Sequence, residues 1–204
     1  MQVSASEVKE LRDRTGAGFM DCKEALQTAQ GDMEKALLYL RQKGLSKAAR
    51  KAERAASEGV VASYIHPGSR VGVLLEVNCE TDFVARNSEF QELVKELAMQ
   101  VAASKPRWVS REDVPSQALE REKEFLTLQA RETGKPDAIV EKMVAGRMEK
   151  FFKENCLMEQ PFIKDPDTDV ASHIKGFMAK LGENIVVRRF ERYELGESLD
   201  AEPG

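Results

Sequence analysis

Apolar residues recur at helical spacing through residues 4–44 and divide into three short runs. Ser4 or Ser6 can cap a first helix that carries Val8 and Leu11 on one face. Thr15-Gly16-Ala17-Gly18 ends it, because glycine tolerates positive φ. Met20, Cys22, Ala25, Leu26 and Ala29 mark a second helix that stops at Gly31. Asp32 caps a third, with Met33, Ala36, Leu37 and Leu40 at helical spacing and Gly44 as its stop. Three helices in a segment this short make only a marginal core. Such a unit either docks on a partner or packs on the rest of the chain.

Residues 45–58 are rich in alanine and charge, with Lys47, Arg50, Lys51 and Arg54 giving a basic, helical connector. From Gly59 the period changes to two. Val60–Ile65 and Val71–Cys79 predict a hairpin around His66-Pro67-Gly68-Ser69, where proline fixes φ and glycine frees it. In the second strand Val71, Val73, Leu75, Val77 and Cys79 share one face. Helices are expected over 89–103, from Pro115 to about Thr133, over 137–156, and from Thr168 or Asp169 to Leu181. Pro161 and Pro166 mark a long loop between the last two, and Ile185–Glu194 is a third strand. The fold class is α+β: a helical module at 1–44, a linker at 45–58, a core domain at 59–196 and a tail at 197–204. The core is a three-stranded antiparallel sheet with helices on one face. Its other face, with Val60, Ala62, Leu74, Val186 and Phe190 as candidates, is left partly apolar and invites a second copy of the chain.

Composition narrows the chemistry. The chain has 204 residues, 42% hydrophobic and 32% charged, which fits a globular protein. A net charge of −4 gives no support for direct nucleic-acid binding. Its apolar runs are too short to cross a bilayer and its N-terminus has no apolar signal region, so no membrane contact is expected. Three widely spaced cysteines, Cys22, Cys79 and Cys156, argue for a reducing cytoplasm. The two histidines, His66 and His173, lack partners at ligand spacing, so no metal is expected. Gly16-Ala17-Gly18 is not a dinucleotide fingerprint, because Asp21 stands at the third glycine and no strand precedes it. There is no phosphate-binding P-loop, and no cofactor is expected.

One stretch resists the bland reading. In Asn78-Cys79-Glu80-Thr81-Asp82-Phe83-Val84-Ala85-Arg86-Asn87, a strand gives way to polar residues with one aromatic among them. Phe83 reads either as a core residue opening the next helix or as a residue offered to a partner. Asp82 reads as a helix cap, and Cys79 as a small buried residue.

The stretches VKELRDRTGAGFMDCKEAL at 8–26, LEVNCETDFVARN at 75–87, VAASKP at 101–106 and MVAGRMEKFFKENCLMEQPFIKDP at 143–166 resemble bacterial elongation factor Ts. The length resembles the short form, with a single core copy. The resemblance implies a non-enzymatic guanine-nucleotide exchange factor whose partner is elongation factor Tu. It implies that the N-terminal module is a ubiquitin-associated (UBA)-like three-helix domain docking through Leu11, Phe19 and Met20. It further implies that Thr81, Asp82, Phe83 and Val84 reach toward the GTPase's magnesium and nucleotide site.

An exchange factor performs no chemistry. It must bind the nucleotide-free state better than the nucleotide-bound state. Each tenfold shift needs about 1.4 kcal/mol of differential binding. Burying one phenylalanine supplies roughly 1.5–3 kcal/mol, or about ten- to hundredfold. Two rival readings are an adaptor that combines the helical module with a dimerising sheet domain, and an enzyme built on Cys79 and Glu80.

Overall fold

The structure is a computed structural model that describes residues 3–197, with the backbone alone at 45 and 47–50. The tail from 198 onward, and the side chains of Lys47 and Arg50 in the basic connector, lie outside the described residues. By contact the chain forms two compact units, neither a single stretch. One combines residues through Gly59 with Asn78–Gln91 and Ser172–Val186; the other combines Val60–Val77, Glu92–Ala171 and the chain from Val187.

The first unit opens with helices α1 (Ala5–Thr15), α2 (Phe19–Thr28) and α3 (Met33–Lys51). Ser4 is the cap of α1. Its hydroxyl accepts from the Glu7 N–H at 3.2 Å, and the Glu7 carboxylate accepts from the Ser4 N–H at 2.8 Å. The Ser4 hydroxyl, which donates to the Glu7 carboxylate at 2.7 Å, and then the Ser4 N–H hold the Glu7 carboxyl below the usual carboxylate range. Gly16 closes the helix at φ 66° and donates its N–H to the Arg12 carbonyl at 2.8 Å. Val8, Leu11, Cys22, Ala25, Leu26 and Ala36 form the buried core of the three helices, with Met33, Leu37, Tyr39 and Leu40 packed against it.

Gly44 does not stop α3, which runs on to Lys51. A glycine inside a helix costs about 1 kcal/mol relative to alanine. Here it allows a close approach. A Cβ at Gly44 would stand 3.3 Å from the Cβ of Ala179, in helix α8 (Val170–Leu181) of the same unit.

In the second unit, strands β1 (Glu58–Ile65), β2 (Val71–Cys79) and β5 (Ile185–Glu194) contribute their larger parts to one sheet, in the order β1-β2-β5. The hairpin turn is closed by His66 N–H to the Val71 carbonyl and Ser69 N–H to the His66 carbonyl, each at 2.9 Å. Val73, Leu75 and Val77 are buried as their alternation requires. The opposite face differs from the expected one. Val60 and Ala62 are half-buried, whereas Val61, Ser63 and Ile65 are exposed, together with Leu74, Val186 and Tyr193. In β5 the parity of burial slips: Ile185 and Val187 are buried, then Phe190, Arg192 and Glu194 are the half-buried positions. Arg192 explains the slip. Its Nε donates to the Ala102 carbonyl at 3.3 Å, and its guanidinium meets Glu194 at 2.7 Å. Ala102 lies in helix α5 (Ser88–Ser104).

Helices α6 (Ser116–Arg131) and α7 (Asp137–Asn155) form a hairpin around Leu126, Ala130, Val140 and Val144. The expected long loop after α7 is instead a short antiparallel pair, β3 (Pro161–Phe162) and β4 (Asp165–Asp169). It is anchored by Gln100, which is fully buried. Its Nε2 donates to the Pro161 carbonyl at 3.1 Å, and its Oε1 accepts from the Ile163 N–H at 2.8 Å.

Leu11→Ala should cost the helical module about 2–5 kcal/mol through the cavity left among Val8, Cys22 and Leu26. Ser4→Ala should cost about 1 kcal/mol. Urea melts followed by circular dichroism check both. Equal losses would contradict this core assignment.

Candidate functional site

At the end of β2 the chain stops pairing as a strand. Cys79, the last strand residue, is fully buried, and its thiol donates to the Thr81 carbonyl at 3.2 Å. Burial first, then the nearby Glu183 carboxylate, push the thiol pKa up. A thiol kept protonated in this way is a poor nucleophile at neutral pH. Glu80 is engaged as well: its Oε1 accepts from the Asn184 N–H at 2.6 Å and lies 3.5 Å from Arg54 Nη1. Neither residue is free for chemistry.

Thr81 then turns the chain. It has extended backbone angles, and its hydroxyl oxygen accepts from the Val84 N–H at 3.3 Å, capping the one-turn helix α4 (Asp82–Ala85). The cap is therefore Thr81 and not Asp82. Four residues do not hold a helix by propensity, since nucleation costs more than one turn returns. The hold comes from elsewhere in the chain. Glu183 lies between α8 and β5, and its carboxylate accepts from the Glu80 N–H at 3.0 Å, the Thr81 N–H at 3.0 Å and the Thr81 hydroxyl at 2.6 Å. Asn184, itself buried, donates its side-chain amide to the carbonyls of Ala52 and Arg54, at 3.2 and 2.7 Å. Downstream, Gln91 Nε2 donates to the Ala85 carbonyl at 2.6 Å.

Within this clamped turn the four T-D-F-V side chains take different positions. Thr81 caps. Val84 is buried. Asp82 pairs with Arg86 at 2.7 Å, but both are exposed, so the pair contributes only about 0.3–0.5 kcal/mol. Phe83 is 79% exposed. The reading of Phe83 as a core residue is therefore wrong: the turn is fixed and its largest apolar side chain points to solvent.

The helical module shows a second apolar edge. Gly18, with an extended backbone, opens α2, and the first two helical residues, Phe19 and Met20, are 49% and 69% exposed. Leu11 is not with them: it is wholly buried in the module's core. Leu38 of α3 is also exposed, a position that the periodicity alone did not single out. Glu183 and Asn184 were likewise not legible as site residues. Their only local signal is the Gly182-Glu183-Asn184 break between a helix and a strand, with Gly182 at φ 83°. His173 meets Phe177 ring to ring at 5.3 Å, a packing contact. Among the described residues, no group of His, Cys, Asp and Glu could hold a metal ion, and no helix is long and apolar enough to cross a membrane.

Comparison with known proteins places this geometry in context. Residues 44–197 match the family model described as Elongation factor TS. Over 197 residues the chain is 62% identical to Elongation factor Ts of Moorella thermoacetica, covering 97% of each chain. It is 61% identical over 199 residues to Elongation factor Ts of Desulforamulus reducens, covering 98% of this chain and 92% of that one. Over 200 residues it is 60% identical to Elongation factor Ts of Syntrophomonas wolfei, covering 98% of this chain and 94% of that one. The family model begins at residue 44, and these relatives extend the likeness over the helical module.

Thiol labelling of the native protein at neutral pH should leave Cys79 unmodified, with all three cysteines reacting only in denaturant. Rapid stoichiometric labelling of Cys79 would contradict the buried, protonated thiol described here.

Proposed function

This chain belongs to the elongation factor Ts family, and on that premise we propose that it is the guanine-nucleotide exchange factor for the translation GTPase elongation factor Tu. It acts by binding and carries out no reaction of its own. The observation that carries the mechanism is Phe83, 79% exposed on a turn that is otherwise fully tied down. A large apolar side chain held in water gains about 1.5–3 kcal/mol on entering a partner. A GTPase holds its nucleotide through Mg²⁺ and a phosphate-cradling loop. Inserting Phe83 beside that site displaces groups that support the metal, and the nucleotide leaves. Thr81 and Val84 set the direction of insertion, and Asp82 lies at the rim. The coupling is reciprocal: the incoming nucleotide weakens the exchange factor by the same factor and displaces it.

The three-helix module serves as the UBA-like docking element, with Phe19 and Met20 as its contacts and Leu11 as the core residue that keeps their helices in place. Residues 1–44 dock, 45–58 link, 59–196 form the core and 197–204 a tail, in the cytoplasm. The adaptor reading is not favoured, because the family match covers the sheet domain and the relatives continue the likeness over the helical module.

The exposed sheet face carries a further proposal. Ile65, Leu74, Tyr193 and Leu195 border a groove of about 450 Å³, and Val61 is exposed on the same unit. A second copy of the chain covers it, forming a two-fold dimer without an interchain disulfide, since β5 contains no cysteine. Leu74 is the better probe than Phe190, which is half-buried within its own unit.

Two experiments follow. Release of fluorescent GDP from elongation factor Tu should accelerate with this chain, and Phe83→Ala should cut the acceleration by about ten- to hundredfold with circular dichroism unchanged. Full activity in the variant would contradict the wedge. Sedimentation equilibrium should give twice 22.8 kDa for the native chain and 22.8 kDa for Leu74→Asp. A native species of 22.8 kDa would contradict the dimer.

A further inference from the structure

The T-D-F-V turn is reached by one carboxylate from a segment about a hundred residues away, which accepts three hydrogen bonds at its start. Glu183 accepts from both backbone N–H groups at the start of the turn and from the Thr81 hydroxyl, at 3.0, 3.0 and 2.6 Å. The contact is returned: the Glu80 carboxylate accepts from the Asn184 N–H at 2.6 Å. Asn184 is in turn fixed to the carbonyls of Ala52 and Arg54, where α3 has ended. All three donors to Glu183 are N–H or O–H groups, two on one carboxylate oxygen and one on the other, and an acceptor-only side chain satisfies them together. A glutamine there keeps one oxygen for the two N–H groups but sets its NH₂ against the Thr81 hydroxyl, so the third bond is reversed and the charge assistance is lost.

We infer that Glu183 is a positioning residue for nucleotide exchange: its carboxylate holds the Thr81 cap, and through it Phe83, in the conformation that enters the partner GTPase. The inference rests on the wedge reading of Phe83. Without Glu183 the first two N–H groups of the turn and the Thr81 hydroxyl lose their acceptor, and what still holds the turn is the Thr81 cap, the Cys79 thiol on the Thr81 carbonyl, the Gln91 amide on the Ala85 carbonyl and the buried Val84. Phe83 then samples many orientations, and only a fraction are productive. The loss therefore falls on the rate of the bound complex. Docking through Phe19 and Met20 is untouched, so the concentration for half-maximal effect stays nearly constant. A role in stability alone would show no such split.

The test is a double-mutant cycle on GDP release from elongation factor Tu, with the variants Glu183→Gln, Phe83→Ala and both together. Glu183→Gln should lower the maximal stimulated rate about tenfold and change the half-saturating concentration by less than about twofold. In the Phe83→Ala background the same substitution should cost less than about twofold further, because there is no aromatic left to aim. Losses that multiply, or a Glu183→Gln variant as fast as the native chain while Phe83→Ala is slow, overturn the positioning role and leave the wedge standing. A Phe83→Ala chain at full rate overturns the wedge and this inference with it. Should Glu183→Gln fail to fold by circular dichroism, Thr81→Val removes the hydroxyl bond to Glu183 together with the cap on the Val84 N–H and leaves the two N–H bonds in place. It should show the same rate loss and the same absence of further loss with Phe83→Ala, and multiplied losses there count equally against the proposal.

Discussion

Three hydrogen bonds into the Glu183 carboxylate fix the start of the turn that displays Phe83. Bonds to a charged acceptor contribute about 1.5–3 kcal/mol each. The competing tendency is strong, since a one-turn helix at the end of a strand has no stability of its own. The chain solves this by crossing back on itself. The segment between α8 and β5 supplies the acceptor, and Asn184 beside it is buried and bonded to the end of the connector after α3. Strand end, helix end and connector thus converge on the turn that displays Phe83.

That arrangement suits an exchange factor for a thermodynamic reason. Binding energy is wasted if it is spent on ordering the residue that must act. On the proposed wedge reading, a Phe83 already aimed before encounter would deliver most of its burial energy to distinguishing the nucleotide-free from the nucleotide-bound partner. The exposed Phe19 and Met20 edge of the helical module is proposed, by contrast, to dock without regard to the nucleotide state. Contacts of that kind bring the partners together without changing which nucleotide state is favoured. In this account affinity and exchange are assigned to different side chains.

Much of this was legible in the sequence, for definable reasons. Helical spacing located α1, α2 and most of α3, and the alternation in Val71–Cys79 gave both the strand and its buried face. Gly44 misled because a glycine in a helix reads as a stop, whereas here it serves close packing against Ala179, visible only in three dimensions. β3 and β4 were missed because two residues and an all-polar five-residue strand carry no alternation. The outward face of β1 was assigned with the wrong parity, since Val60, Val61 and Ala62 are all apolar and pattern alone does not choose among them. At the site, the T-D-F-V stretch stood out through its resemblance to a family. Glu183 did not, because a surface glutamate after a helix carries no signal until its distant partners are known.

The most direct test of the central claim concerns the free protein. Amide hydrogen exchange by NMR reports whether the turn is already fixed before any partner binds. The N–H groups of Glu80, Thr81 and Val84 are all bonded in this structure, although the tip is exposed. They should exchange at least about a hundredfold more slowly than in an unstructured peptide, and Glu183→Ala, which removes the acceptor altogether, should abolish most of that protection at Glu80 and Thr81. Exchange at the unstructured rate in the native chain would show that the tip is disordered until it meets the GTPase, and would contradict the account.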